Sequence, residues 1–323
     1  MDSTSLYYFR ELSKDLNMHR TAERIFVSQQ TISNHILKLE EELGCRLYER
    51  KPGLTLTDAG REVLGFVDEM TLQQDNLKNT LADINNEEKG SICFGASMLR
   101  LGSCLPAVMP AFHARYPKVK MKLKDRMERE LEALVRAGEV DLGIIVEVTD
   151  EKDLIVEPML DDQVYVCVPD RLLREVYGEK DADRIRCRCA HGTDLRDLEK
   201  LPFCLLENRL GTEIQKCFDE AGYEPEVCMT SSFMQIAASV GFSGIAAFFT
   251  TQVAIGSRGN DIPADLNIFP LYQHGKPLYH RIYMIRRDKR YLPAFTRYFA
   301  ELLKDHYREV ARQHAERVAK RVR

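Results

Sequence analysis

The sequence predicts a mixed α/β chain, in which a short helical head and a long helix precede a larger region of alternating strands and helices. Three observations support this fold class. Residues 19–43 contain two amphipathic helical stretches with a tight break, and residues 57–87 repeat apolar side chains at helical spacing. Beyond residue 90, strand-like and helix-like segments alternate. With 323 residues, the chain is long enough for more than one domain of roughly 100–200 residues.

The first helical pair has the chemistry of a DNA-reading element. Its first helix carries an apolar stripe at Ala22, Ile25 and Phe26, and Ser28 can cap the second helix by accepting a backbone N–H. The second helix has an apolar face formed by Ile32, Ile36, Leu39 and Leu43. Its polar face carries groups that can contact base edges: Gln29, Gln30, Thr31, Ser33, Asn34 and Lys38. The alternative is a pair of core helices with a solvated polar face.

The segment after this pair predicts a short β-hairpin, or wing. Two apolar segments, 47–48 and 54–56, flank the turn-forming pair Pro52-Gly53. Arg50 and Lys51 lie beside that turn, where basic side chains would contact phosphate and fix the register of the protein on DNA.

A long helix should follow, capped by Thr57 or Asp58 and running to about Glu87. Its apolar residues occupy a and d positions of a heptad repeat, with Gln74 as the one polar member. We interpret this stripe as a dimerisation surface, because paired heads can bind two half-sites of DNA. The alternative is packing within its own domain. The stripe consists of Val63, Val67, Met70, Leu77, Leu81 and Ile84.

Beyond a polar hinge at residues 85–90, the pattern is typical of α/β units with parallel sheet. The predicted strands are apolar or alternating segments, at 92–96, 119–123, 142–146, 164–168, 203–206, 227–230, 244–249 and 282–285. The predicted helices lie at 99–115, 127–137, 212–221, 232–240 and from 293 onward. The last helix ends in a basic stretch, for which a solvated tail is expected.

Residues 6–65 resemble the winged helix-turn-helix of LysR-type transcriptional regulators. The motifs follow the family's order and spacing: Leu6-Tyr7-Tyr8-Phe9, Thr21-Ala22-Glu23, Val27-Ser28-Gln29-Gln30, Leu39-Glu40-Glu41-Glu42-Leu43-Gly44, Leu47-Tyr48-Glu49-Arg50 and Leu56-Thr57-Asp58-Ala59-Gly60. Gln30 stands where members often have proline, and Asn34-His35 replaces an arginine-rich pair, which implies a different DNA preference. Later motifs resemble the family's sensor module: Gly90-Ser91-Ile92, Tyr116-Pro117, Ala137-Gly138-Glu139-Val140-Asp141-Leu142, Ala238-Ser239-Val240-Gly241 and Gly244-Ile245-Ala246.

The resemblance implies a two-lobed effector domain like a periplasmic binding protein, and a homodimer or homotetramer joined by antiparallel linker helices. We expect a DNA-binding head at 1–60, a linker helix at 58–88, an effector domain at 90–300 and a basic helical tail at 301–323. The first lobe would take about 90–163 and 271–300, and the second about 164–270. The expected partners are double-stranded operator DNA, a small-molecule effector and further copies of the chain, with RNA polymerase as a candidate.

Ligands of open α/β sheets bind beyond the C-terminal ends of strands, where helix N-termini favour anions. The expected effector is therefore a small anionic metabolite, which Arg100 can bind through two N–H groups. The candidate effector-binding residues follow three predicted strands: Ser97, Met98, Arg100, Asn208, Thr212, Ser231, Ser232 and Phe233. Positions corresponding to four of them line the family's effector site: Ser97, Met98, Thr212 and Ser231.

Each of these residues also has a structural interpretation. Hydroxyl groups that follow strands often cap helices, so three of the candidates can be simple caps: Ser97, Thr212 and Ser232. Arg100 can face water, and Phe233 can belong to the core.

Composition bounds the function without deciding it. The net charge is −4 and the isoelectric point about 6.1, so DNA binding is inferred from where the charges lie. No apolar run reaches about 18 residues, and the N-terminus lacks a signal-peptide pattern, so we expect a cytoplasmic protein. The sequence has no GxSxG, Walker, HExxH or dinucleotide-binding motif, and we expect neither catalysis nor a cofactor. An enzyme fused to a DNA-binding head remains the alternative.

The nine cysteines leave a second alternative open, which is a regulator of the same family controlled by cysteine oxidation. Most of them lie in apolar runs, as buried reduced cysteines do. Cys204 and Cys217 fall in the predicted second lobe, where peroxide-sensing relatives carry their reactive pair, although the surrounding residues do not match. Cys187, Cys189 and His191 are spaced too tightly for a typical zinc site, so we expect a loop insertion and no metal there.

Overall fold

The computed structural model describes residues 2–49, 53–85, 88–126, 128–258 and 262–321. The chain divides into two compact units. The first contains residues 1–87 together with 289–293, and the second contains residues 88–288 together with 294–323. The mixed α/β fold class is confirmed. Within the described ranges, no helix combines the length and apolar character needed to cross a membrane.

The first unit is the expected winged helix-turn-helix followed by a long helix. Its elements are α1 (Ser3–Asp15), α2 (Met18–Arg24), α3 (Gln29–Leu43), β1 (Tyr48–Glu49), β2 (Thr55–Leu56) and α4 (Asp58–Ile84). The hairpin pairs antiparallel, with Tyr48 opposite Leu56. Both predicted caps are confirmed. The Ser28 hydroxyl accepts the N–H of Thr31 at 3.0 Å, and the Thr57 hydroxyl accepts the N–H of Gly60 at 2.9 Å.

The core of this unit joins α1, α3, the wing and α4. Its fully or almost fully buried side chains include Leu6, Phe9, Leu12, Ile32, Ile36, Leu39, Leu47, Tyr48 and Val67. The Tyr48 hydroxyl donates to the backbone oxygen of Phe9 at 2.9 Å, so the wing is tied to α1.

The predicted stripe of α2 is wrong at Phe26. The helix ends at Arg24, and Phe26 adopts a left-handed φ of +57° with 94% of its side chain exposed. This backbone conformation turns the chain toward α3, so Phe26 is part of the turn and not of the apolar face.

The predicted dimerisation stripe on α4 divides into two halves. Val67 is buried in the core of its own unit, and Val63 and Met70 pack against that core, as the intradomain alternative expects. The remaining members are exposed: Leu77, Leu81 and Ile84.

The second half of α4 also holds the segment 289–293. The side-chain amide of Asn76 donates to the backbone oxygen of Lys289 at 2.8 Å, and its oxygen accepts the N–H of Tyr291 at 2.7 Å. The Tyr291 hydroxyl donates to Asp83 at 2.8 Å. Sequence spacing gave no sign of this contact, because more than 200 residues separate the partners.

The second unit begins with β3 (Lys89–Ala96), α5 (Met98–Arg115), β4 (Lys118–Asp125), α6 (Glu128–Arg136), β5 (Leu142–Ile145) and β6 (Leu154–Pro169). It continues with α7 (Asp170–Tyr177), α8 (Glu179–Cys189), β7 (Pro202–Leu206), α9 (Arg209–Ala221), β8 (Glu226–Ser231), α10 (Met234–Gly241), β9 (Ala247–Thr251) and α11 (Gln252–Arg258). It ends with β10 (Leu266–Pro270), β11 (Tyr272–Gln273), β12 (Lys276–Pro277), β13 (Tyr279–Arg287) and α12 (Ala294–Arg321).

One strand connects two halves of the sheet. The strand order is β4-β3-β5-β13-β6-β9-β7-β8, and β10 also pairs with β6. We call β4, β3, β5, β13 and the first part of β6 the first lobe, and the second part of β6 with β9, β7, β8 and β10 the second lobe. Parallel pairing holds inside each lobe, between β3 and its neighbours and between β7 and its neighbours. The connecting strand β6 pairs antiparallel with β13 of the first lobe and with β9 of the second lobe, which sequence alternation did not predict.

Two predicted segments are corrected. The charged region after β6 is not a loop insertion, because it forms α7 and α8, and Cys187 and Cys189 lie on the second of these helices. The C-terminal helix is not a solvated tail over its whole length. Leu303 and Tyr307 are fully buried, because α12 packs against α5 and β6.

We predict that the two halves of the α4 stripe differ in their effect on stability. Val67→Ala should lower the free energy of unfolding of the first unit by roughly 1–3 kcal/mol, since it removes two buried methyl groups and leaves a cavity. Leu81→Ala, a truncation in the exposed half of the stripe, should change it little at protein concentrations too low for the chain to dimerise. Hydrogen exchange of the slowest amides in α1 and α3 measures both. Equal decreases in the free energy of unfolding for the two variants would contradict the division of the stripe into a buried half and an exposed half.

Candidate functional site

The polar face of α3 forms one candidate site. Gln29, Gln30, Asn34 and Lys38 are exposed, and Thr31 and Ser33 are partly buried beside them. The opposite face, with Ile32 and Ile36, is anchored in the core of the first unit. The helix therefore presents amides and an ammonium group from a rigid element, as base recognition requires.

Hydrogen bonds arrange the side chains on this face. The Gln30 amide donates to the Asn34 side-chain oxygen at 2.9 Å, and Gln29 contacts a ring nitrogen of His19 at 2.9 Å. Sequence patterns did not single out His19, because it belongs to the preceding helix. Arg50 and Lys51 lie outside the described residues.

Lys38 is held by an acidic side chain at the start of the chain. Its ammonium group lies 2.9 Å from the carboxylate of Asp2, which also caps α1 through the N–H of Ser5. The hydrogen bond to Asp2 raises the pKa of Lys38. An exposed pair of this kind contributes little to stability, so Lys38 can exchange Asp2 for a phosphate at small cost.

The first lobe contributes Ser97, Met98 and Arg100 at the end of β3. Ser97 is the N-cap residue of α5, but its hydroxyl makes no capping bond and instead accepts an N–H of Arg100 at 3.0 Å. Arg100 does not face water, since only 7% of it is exposed. Its Nε is buried without a hydrogen-bond partner among the described residues. Met98 is 60% exposed.

The second lobe brings its candidates together at the ends of β7 and β8. Asn208 caps α9 by accepting the N–H of Gly211 at 3.1 Å, and its amide donates to the backbone oxygen of Ser232 at 3.0 Å. The Ser231 hydroxyl accepts the N–H of Phe233 at 3.1 Å.

None of the three proposed hydroxyl caps occurs. The side chain of Ser232 caps neither α9 nor α10, and the Thr212 hydroxyl lies 3.5 Å from the backbone oxygen of Asn208. Phe233 is 60% exposed and does not belong to the core.

Three buried polar side chains that no sequence motif indicated lie near Arg100: Asp162, His280 and Tyr307. Asp162 lies on β6 where the strand passes between the lobes, with its carboxylate accepting the N–H of Val253 at 2.9 Å. Burial raises the pKa of Asp162 to about 6, against the opposing effect of this hydrogen bond and of the Arg100 charge. Burial lowers the pKa of His280 to about 3, and Arg100 acts in the same direction, so this imidazole is neutral at neutral pH.

Two of these groups lack partners. The His280 Nε2 and the Tyr307 hydroxyl are buried without a hydrogen bond in the described part of the chain. Burial raises the pKa of Tyr307, which keeps its hydroxyl protonated. One sequence feature could have indicated that Asp162 is a functional residue. It belongs to a polar triplet, Asp161-Asp162-Gln163, inside an otherwise apolar strand.

Contacts between the two lobes of the second unit connect the candidate effector residues of the first lobe with those of the second. Arg209, the first residue of α9, pairs with Glu147 of the first lobe. Leu99 of α5 packs against the core of the second lobe. Arg100 and Arg209 both depress the pKa of His280, so these three side chains share one region between the lobes.

The cysteines offer no metal centre within the described residues, where no group of three or more suitable ligands occurs. Cys187 is exposed and Cys189 is buried. Cys204 and Cys217 are both buried, and burial raises the pKa of Cys204 to about 11 and that of Cys217 to about 12. The Cys217 thiol donates to the backbone oxygen of Glu213, one turn earlier on its own helix.

Comparison with known proteins identifies both units. Residues 3–61 match the bacterial regulatory helix-turn-helix protein family, lysR type, and residues 85–308 match the LysR substrate binding domain. The chain is 26% identical over 259 residues to the uncharacterized regulator YcgK of Bacillus subtilis, covering 76% of this chain and 78% of that protein.

Solved structures share the fold. A full-length OxyR from Pseudomonas aeruginosa matches with a TM-score of 0.63 and 23% identity, over 95% of both chains. Full-length CbnR in complex with its target DNA matches with a TM-score of 0.53 and 19% identity, over 95% of this chain and 100% of that chain.

We predict that Asp162 makes the stability of the second unit pH-dependent. Its pKa in the folded state lies above the ordinary value of 3.8, so the folded protein binds this proton more tightly. The resulting stability is present below about pH 4 and lost as pH rises through about 6. Asp162→Asn is neutral throughout and should gain up to about 3 kcal/mol over wild type at pH 7.5, but little at pH 4.

Thermal unfolding at both pH values measures this difference. Asp161→Asn, a carboxylate one residue earlier that is half exposed, is the matched control for losing a negative charge. A difference between Asp162→Asn and wild type that stays constant with pH would contradict the assignment.

Proposed function

The chain belongs to the LysR family of transcriptional regulators, and we propose that a small anionic metabolite bound between its two lobes modulates its binding to operator DNA. The family supplies the general function, which is regulation of transcription through a DNA-binding head and an effector-binding domain. The proposal concerns the chemical class of the effector and the residues that bind it and the DNA.

The observation that supports an anionic effector is the environment of Arg100. A guanidinium group is always charged, and burying it without complete hydrogen bonding is costly. Arg100 nevertheless has only 7% of its surface exposed. One of its N–H groups donates to Ser97, and its Nε has no partner among the described residues. The carboxylate of a ligand would accept the Nε–H.

The neighbouring groups support the same class of ligand. The Tyr307 hydroxyl is a second buried donor, and His280 is neutral, so neither adds a negative charge near Arg100. Met98 and Phe233 are exposed apolar side chains at the ends of strands in opposite lobes, suited to cover the non-polar part of a small metabolite.

The DNA-binding part of the proposal rests on α3. Its exposed amides, Gln29, Gln30 and Asn34, are the groups that pair with adenine in the major groove, and Lys38 would contact phosphate. CbnR, which shares the fold, has been solved with its target DNA.

We also propose that the chain self-associates through α4 and acts in the cytoplasm. The exposed side chains Leu77, Leu81 and Ile84 on α4 would pack against a second copy of the chain, and two such dimers would form the tetramer that is plausible for this family. We place the regulator in the cytoplasm with its DNA, and RNA polymerase is a further partner under this proposal.

We predict that Asn34 contributes sequence specificity. Operator sites selected from random DNA by the intact protein should bind Asn34→Ala about 5- to 150-fold more weakly, corresponding to about 1–3 kcal/mol per bidentate base contact. Gln73→Ala on α4 is the matched control, because Gln73, like Asn34, shares a hydrogen bond with a side chain one turn away. Fluorescence anisotropy measures both variants against selected and random DNA.

The salt dependence of the same titrations separates base contacts from phosphate contacts. Lys38→Ala should reduce the slope of log affinity against log salt by about 1, while Asn34→Ala leaves that slope unchanged. An operator affinity that does not change with salt would contradict DNA binding through this face.

We predict that Arg100 and Ser97 bind the effector. Calorimetry of the intact protein against small mono- and dicarboxylates should identify a ligand whose affinity falls at least tenfold in Arg100→Met and several-fold in Ser97→Ala. A tenfold loss corresponds to about 1.4 kcal/mol. Arg115→Met, a change on the same helix at an exposed arginine, should bind as wild type does. Equal binding by all four proteins would exclude Ser97 and Arg100 from the site.

A further inference from the structure

The side chain of His19 lies beside the polar face of α3, although His19 belongs to the preceding helix, α2. Its Nδ1 lies 2.9 Å from the side-chain nitrogen of Gln29, the first residue of α3. Its Nε2 lies 3.4 Å from a carboxylate oxygen of Glu23, one turn later on α2. One imidazole ring therefore connects an acidic side chain of α2 with the first amide of α3.

The Glu23 carboxylate determines which ring nitrogen of His19 carries the proton. An ionised carboxylate can only accept hydrogen bonds, so the carboxylate beside Nε2 favours a proton on that nitrogen. In a neutral imidazole the other nitrogen, Nδ1, is then an acceptor. Gln29 therefore donates to Nδ1 through an N–H of its amide, and this bond orients the amide.

The bond to His19 determines what the Gln29 amide still offers to DNA. A glutamine amide has two N–H donors and one acceptor oxygen. When the N–H trans to the oxygen bonds the imidazole, the oxygen and the cis N–H remain side by side and point in the same direction. Adenine requires this pair of groups in the major groove, because its N6 amino group donates and its N7 accepts.

The backbones that carry these two side chains are held by the core of the first unit. Helix α2 is anchored on α1, because Asp15 accepts the hydroxyl of Thr21 at 3.0 Å and an N–H of Arg24 at 2.8 Å. Helix α3 is anchored by the buried side chains Ile32 and Ile36. The imidazole therefore meets the amide from a rigid position, as a group that orients a base-reading side chain must.

We propose that His19 is a positioning residue for base recognition, which holds the Gln29 amide in the orientation that pairs with adenine. This role rests on the proposed function, because Gln29 reads a base only if α3 enters the major groove. Without the imidazole, the amide would rotate freely and could turn both of its N–H donors toward the N7 and O6 acceptors of guanine. With the imidazole in place, the amide oxygen stays on the DNA side and disfavours guanine.

The neighbouring residue Gln30 is oriented in a different way. Its amide donates to the side-chain oxygen of Asn34 at 2.9 Å, so both partners of that bond lie on α3. His19 instead acts on Gln29 from another helix. A substitution of His19 therefore changes the orientation of one amide without removing any group from the polar face of α3. His19 is also exposed, so its replacement should leave the core of the first unit intact.

Selection of DNA from a random pool by the intact protein, followed by sequencing, tests the proposal. Gln29→Ala should lose a preference for adenine that wild type shows, and this loss identifies the position that Gln29 reads. His19→Ala should weaken the preference for adenine over guanine at the same position by about 2- to 10-fold, as expected for one neutral hydrogen bond. The preferences at all other positions should stay unchanged. Fluorescence anisotropy with two DNA probes that differ at this base pair alone measures the fold-change.

Two further variants complete the experiment. His19→Asn should restore most of the preference for adenine, because the side-chain oxygen of asparagine lies as many bonds from the backbone as the histidine Nδ1 and accepts the same N–H. His113→Ala, which removes an exposed histidine of α5 in the second unit, should select the same DNA as wild type.

The outcomes separate the role of His19 from base reading by Gln29. An unchanged preference in His19→Ala, or an equal loss of affinity for both probes, would overturn the positioning role while base reading by Gln29 stands. Failure of His19→Asn to bind the adenine probe better than His19→Ala would overturn it as well. If Gln29→Ala selects the same DNA as wild type, the proposed base reading by Gln29 fails, and the role of His19 fails with it.

Discussion

The second unit depends on one continuous strand. β6 extends over 16 residues, and its first part pairs with β13 while its second part pairs with β9 and β10. A strand shared in this way satisfies its backbone hydrogen bonds in both lobes, so neither lobe can be removed without exposing an edge of the other. The position where the partners change, near Asp162 and Gln163, is therefore fixed relative to both sheets.

Burying charged side chains at this position costs free energy, so stability alone does not explain why Arg100 and Asp162 lie there. Arg100 and Asp162 act on each other through the interior, and Asp162 also accepts the N–H of Val253 in the first turn of α11. Buried ionic groups of this kind are often no more stabilising than apolar replacements, so we infer that they are kept for recognition. Because Asp162 is tied to the crossing strand and Arg100 to the first helix of the lobe, a ligand that changes the charge balance would act on both lobes together.

The sequence predicted elements whose causes are local and missed those whose causes are distant. Ser28 and Thr57 cap helices through bonds within three residues, and both were predictable. The burial of Val67 was not, because a heptad pattern is the same whether the partner is another chain or the core of the same unit. His280 and Tyr307 were also missed, since long-range packing alone brings them near Arg100. The candidate effector residues themselves stay predictions, although the structure excludes simple capping by their hydroxyls.

The pairing of β7 and β8 is irregular close to the candidate effector residues of the second lobe. In a regular parallel ladder, one residue of β8 would stand opposite each residue of β7. Cys228 is instead an extra residue without a partner on β7, and it comes four residues before Ser232. The backbone oxygen of Ser232 accepts the side-chain amide of Asn208 at 3.0 Å, so this hydrogen bond joins the two segments again just beyond the irregularity. The positions of Asn208 and Ser232 therefore depend on a contact between two strands that sequence alternation did not predict.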